Sequence, residues 1–103
     1  MTIVLEIGTQ NYSDDRFSIK RAMSHMESLV SGYNGYVLSE PSSKFGWTFF
    51  KMAVKPNLQN GIEEKFYDMI ARYSEGDPSQ KFAHFMNDYF NSKGCKVKVK
   101  ITD

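Results

Sequence analysis

Residues 45–54 read FGWTFFKMAV, and the phase of this one strand decides how the chain is built. Four of its first six side chains are aromatic: Phe45, Trp47, Phe49 and Phe50. Alternate residues of a strand face opposite ways, so no register puts all four on one side. One set is Phe45, Trp47, Phe49 and Lys51; the other is Thr48, Phe50, Met52 and Val54. Lysines are almost never fully buried unless paired. Lys51 therefore assigns Trp47 and Phe49 to an open face, and gives Phe50, Met52 and Val54 to the core. Pro56 ends the strand.

The flanking segments supply partners for such a strand. Residues 2–8, TIVLEIG, alternate with Ile3, Leu5 and Ile7 inward and Val4 and Glu6 outward. Ser13 or Asp14 offers an oxygen to cap the helix that follows. Ile19, Ala22, Met23, Met26, Leu29, Val30 and Tyr33 recur at helical spacing in that helix, and Gly32 is placed to end it. GYVLSE at 35–40 is a short strand, joined to the long one by a hairpin loop around Pro41. Residues 57–61 read as loop. Ile62, Phe66, Met69, Ile70 and Tyr73 then mark a second amphipathic helix, interrupted by SEGDPSQ at 74–80. Asp77-Pro78 is a strong start for a third, because Asp caps and Pro fits the first turn without losing a hydrogen bond. Phe82, Phe85, Met86, Tyr89 and Phe90 form its apolar stripe, and Gly94 closes it. The last segment, CKVKVKIT at 95–102, alternates strictly: Cys95, Val97, Val99 and Ile101 inward, Lys96, Lys98 and Lys100 outward.

The order β-α-β-β-α-α-β becomes βαββαβ when the last two helices are merged into one broken crossover. That is the ferredoxin-like layout. The expectation is a single α+β domain over residues 1–103, a four-stranded antiparallel sheet of order 4-1-3-2 with all helices on one face. The edge lysines and the central aromatics then share the other face.

Composition narrows the function. The 103 residues carry 13 Lys and Arg against 12 Asp and Glu, a net charge of +1. A nucleic-acid mimic would be clearly acidic and a bulk packager clearly basic, so any electrostatic footprint is a local patch. Cys95 is the one cysteine. It forms no internal disulfide and suits a reducing compartment. The start, MTIVLEIG, lacks the basic segment of a signal peptide, and no run reaches the roughly 18 apolar residues of a membrane span. A cytoplasmic protein without membrane contact is expected.

No catalytic constellation stands out. His25 and His84, the only histidines, have no Cys or His at ligand spacing. Asp14-Asp15 and Glu63-Glu64 read as helix-start acids favouring the macrodipole. Ser42-Ser43 has no nucleophile-elbow context, and there is no phosphate loop or dinucleotide fingerprint. No cofactor, metal or catalytic residue is expected. The segment GWTFFKM, residues 46–52, resembles the ribonucleoprotein octapeptide of RNA-recognition motifs at Gly46, Trp47 and Phe49. It departs from that pattern at Phe45, Thr48 and Met52, and Val4 stands where the companion strand would carry an aromatic. The resemblance implies bases stacked on Trp47 and Phe49.

The expected function is a small non-enzymatic binding protein of the inhibitor or regulator type, such as an immunity, antitoxin or phage counter-defence protein. The expected surface comprises Phe45, Trp47, Phe49, Lys51, Lys96, Lys98 and Lys100, facing a partner protein or an identical subunit. The alternative is a single-stranded RNA- or DNA-binding module that stacks bases on the aromatics and holds phosphates with the lysines. Against the alternative, edge lysines also serve simply to discourage strand-to-strand aggregation.

Overall fold

A computed structural model describes residues 2–74 and 76–102. The elements are β1 (Ile3–Thr9), α1 (Tyr12–Val30), β2 (Tyr36–Leu38), β3 (Ser42–Lys44), β4 (Trp47–Val54), α2 (Pro56–Lys65), α3 (Tyr67–Ala71), α4 (Pro78–Ser92) and β5 (Val97–Ile101). The described residues form an α+β protein, with an open antiparallel sheet of five strands and four helices.

The sheet order is β2-β4-β1-β5, with β3 also on β4. β2 pairs with the end of β4 (Tyr36 opposite Val54) and β3 with its beginning (Lys44 opposite Trp47). They thus lie end to end along one edge of β4. The expected strand at 35–40 stops short, at Leu38. Between the two pieces Ser39 takes over the edge: its N–H donates to the Lys51 carbonyl, and its hydroxyl accepts from the Lys51 N–H. Pro41, which has no N–H to donate, sits in this gap.

Residue 45 does not belong to the strand. Phe45 and Gly46 form the two-residue turn between β3 and β4, with φ of 53° and 79°. Positive φ at both central positions is what a type I′ hairpin turn requires. Phe45 therefore leaves the face that holds Trp47 and Phe49 and projects from the hairpin tip, 90% exposed. The remaining phase of β4 is as read from Lys51: Phe50, Met52 and Val54 are buried, and Lys51 is exposed.

The core lies between one sheet face and the helices. Leu5 and Ile7 of β1, Met52 and Val54 of β4, Met23 and Met26 of α1, Leu58 and Ile62 of α2, and Phe82 and Phe90 of α4 are all fully buried. Val99 and Ile101 of β5 are partly buried against this cluster, with Cys95 and Val97 inside it.

Helix boundaries differ from expectation in instructive ways. Asn11, not Ser13 or Asp14, is the N-cap of α1, and Ser31 rather than Gly32 takes the left-handed position at its end, with φ of 55°. Tyr33 lies beyond the end of the helix and is exposed, and Leu29, in its last turn, is exposed as well. Residues 57–61 are helix, not loop: Pro56 both ends the strand region and starts α2 at its first turn. Glu63 and Glu64 thus fall in the last turn of α2, where they no longer favour the dipole. Phe66 (φ −112°, ψ 26°) breaks the run and separates α2 from α3, leaving Met69 exposed. Within the interruption at 74–80, residue 75 lies outside the described residues. The start of α4 is as expected, with the Asp77 carboxylate accepting from the Ser79 N–H at 2.8 Å.

Asp15 has a role beyond the helix dipole. It is buried, accepts from the Thr9 hydroxyl, and accepts from the Lys96 N–H at 3.0 Å. One carboxylate thereby joins the end of β1, the start of α1 and the entry to β5.

Candidate binding face of the sheet

The open face can be read row by row from the register. One row runs Ser42, Phe49, Gly8, Lys98. The next runs Lys51, Glu6, Lys100. Beyond it lie Val37, Ala53 and Val4, and at the hairpin end Lys44 stands opposite Trp47.

Gly8 makes the centre of this face what it is. A Cβ there would lie 3.0 Å from Cε1 and 3.2 Å from Cδ1 of Phe49, and 3.6 Å from Cε3 of Trp47. Because glycine has none, both rings close down over the β1 backbone, and Gly8 is buried beneath them. The two rings are nearly parallel, at 21°, with centroids 6.4 Å apart. Trp47 and Phe49 are consequently half-buried by the protein's own backbone and by each other, instead of standing bare.

Charge surrounds the rings. The Lys98 ammonium lies 5.4 Å from the Trp47 ring centroid, within cation–π range. Lys100 pairs with Glu6 at 3.3 Å. Lys51 sits across β1 from Lys100 with Glu6 between them in register. Lys44 reaches toward Phe45, 5.5 Å from its centroid. Trp47, Phe49, Lys98 and Lys100 come together with Glu6, Gly8 and Val99 around a shallow groove of about 470 Å³. Lys51 shares the face without lining the groove. Lys96 stands just before β5, anchored through its backbone to Asp15.

Sequence reasoning missed Gly8, Glu6's ion pair and Lys44. The lone glycine in the apolar strand TIVLEIG was the available signal, since a strand glycine often marks a close approach.

The thiol, the two raised phenols and both imidazoles lie off this groove. Cys95 is 1% exposed, and burial, with the Asp15 carboxylate adding to it, pushes its thiol up to about 11. Burial also raises the phenols of Tyr36 and Tyr89, and the Tyr89 hydroxyl donates to the Ala22 carbonyl at 2.9 Å. His84 packs its ring on Tyr73 at 4.2 Å and lies 3.9 Å from Asp88. His25 is exposed on a groove of about 290 Å³ with Ser18, Arg21 and Lys93. Among the described residues, no group of three or more His, Cys, Asp or Glu side chains is arranged to hold a metal ion. No described helix is long and apolar enough to cross a membrane.

No family model, curated protein or solved structure matches the chain.

Proposed function

We propose that the protein is a small non-enzymatic binder of the regulator or inhibitor type, the class that includes immunity, antitoxin and phage counter-defence proteins. It acts by occupying a partner through the open sheet face. The observation that carries this reading is the Trp47–Phe49 pair, seated over Gly8 and flanked by Lys98 and Lys100. A pair of rings set into a backbone hollow is preorganised for contact, since little side-chain freedom is left to lose on binding. The layout is ferredoxin-like in this proposal, with β2 and β3 as one interrupted edge strand and α2 to α4 as one broken crossover. A reducing, cytoplasmic setting suits the single buried thiol.

A second reading, single-stranded nucleic acid on the same face, is favoured by the excess of lysine around the rings. The test of the common reading is retention from native lysate on immobilised wild-type and Trp47→Ala protein, each with and without nuclease treatment. Wild type should retain a component that the folded variant loses. Equal retention by both would sink the binding-face reading.

A further inference from the structure

We infer that the occupant of the open face is a single-stranded nucleic acid, stacked on Phe49 and Trp47 and held at its phosphates by the surrounding lysines. This rests on the binding face proposed above and takes up the second of the two readings of its occupant.

Charge segregation carries the inference. Lys44, Lys51, Lys98 and Lys100 share the open face by register, and Lys96 shares the phase of β5. Among the described residues that the register places on this face, Glu6 is the one carboxylate. The described residues hold 13 cations and 10 acids, so away from this face eight cations stand against nine acids. The described residues thus turn one cationic face outward, five lysines to one glutamate, while the rest is close to neutral. Lysine is depleted at the cores of protein interfaces, yet here lysines flank the central rings. A second copy packed face to face would bring ten lysines against two glutamates, and like charges so opposed repel. An anionic polymer answers this surface, and two nearly parallel rings specify that it carries planar bases. Base–aromatic stacking needs no particular sequence, because every base has a π-face. Bases in a duplex are already stacked on each other, so the unpaired strand is the fitting ligand.

The hairpin tip extends the platform. Phe45 is 90% exposed, two residues before Trp47, with Lys44 beside its ring. An aromatic residue held at positive φ in a turn that usually takes Asn or Gly is a costly choice. A third stacking group gives that choice a use. On binding, Lys98 gives up its place over Trp47 to a base and turns to the phosphate.

The experiment titrates wild-type protein into 5′-fluorescein 12-mers of deoxythymidine and of uridine, and into a 12-bp duplex. Anisotropy and Trp47 emission are read across a salt series. Single strands should bind, quench Trp47 and outcompete the duplex. Changing Lys96, Lys98 and Lys100 together to Gln should make the slope of log affinity against log salt shallower by about 2, at roughly 0.7 per phosphate contact. Trp47→Ala should weaken binding roughly tenfold or more with little change in slope. Phe45→Ala, at an exposed turn that no core contact depends on, should weaken it several-fold and keeps the test open if Trp47→Ala folds poorly. Failure of both 12-mers to bind at low salt, or equal binding of the duplex, overturns the nucleic-acid assignment. If a nuclease-resistant polypeptide is then retained by wild type and lost by Trp47→Ala, the face is a protein site and the broader reading stands. Oligonucleotide binding indifferent to both Trp47→Ala and Phe45→Ala, with Trp47 emission unchanged, would place the contact elsewhere and overturn both.

Discussion

Phe49 and Phe50 are neighbours in the chain and opposites in the molecule. Phe50 is 2% exposed and meets Tyr12 edge-on at 5.4 Å, inside a core that includes residues from three of the helices. Phe49 is half-buried against Gly8 and Trp47, with lysines around it. The first is held by removal of its whole surface from water, the second by a missing Cβ and one neighbouring ring. Stability should therefore live on the Phe50 side of the sheet and recognition on the Phe49 side. Each substitution that separates those two quantities sharpens the comparison, and any that moves them together breaks it.

The largest effect is expected at the core side. Phe50→Ala should lower the unfolding free energy by about 3–5 kcal/mol, measured by denaturant titration, as large-to-small core changes do. A loss below ~1 kcal/mol would mean that this face is not the core.

Cys95 reports the same side through pH. Its thiol, raised from 9.0 to about 11, holds its proton more tightly in the fold than in the unfolded chain. That contribution is fully present below pH 9 and is lost as pH rises through 11, amounting to roughly 2–3 kcal/mol at most. Cys95→Ser should flatten the alkaline limb, and native protein should react with a thiol reagent at pH 8 only at the rate of unfolding.

On the open side, Trp47→Ala should cost about 1 kcal/mol of stability, since only part of the ring is buried, while removing most of the binding. Lys100→Gln is the smallest change. It breaks a pair between an exposed lysine and the half-buried Glu6, and its effect on stability should lie within about 0–1 kcal/mol.

Much of this division was legible in the sequence. A lysine at 51 fixed the phase of β4, and strict alternation at 96–101 fixed that of β5. Spacing located Ile19, Ala22, Met23 and Met26 as the core face of α1, though its caps were misplaced, and cap and spacing together located α4. The failures have physical causes. PSSKFG reads as a hairpin loop, but nothing in it places Phe45 in a two-residue turn, because phenylalanine is a poor occupant of positive φ. Residues 57–61, NLQNG, include three poor helix formers, yet α2 forms there because Leu58 and Ile62 are buried in the core. Asp15 looked like one more first-turn acid, since its bond to Lys96 spans 81 residues and leaves no local trace. The site was half visible: rings and lysines stand in the sequence, but Gly8 acquires meaning only when β1 is set beside β4.

Trp47 is the only tryptophan, so its emission reports the open face alone. In the free, demonstrably monomeric protein at low ionic strength, quenching by iodide and by caesium should be compared with the quenching of free indole by the same two ions. A half-buried ring among lysines should be reached by both ions, with iodide favoured more strongly than it is for free indole, and the triple Lys96, Lys98, Lys100 to Gln variant should lose most of that preference. A Trp47 shielded from both quenchers, or quenched with no preference for the anion, would contradict a cationic aromatic face open to a ligand.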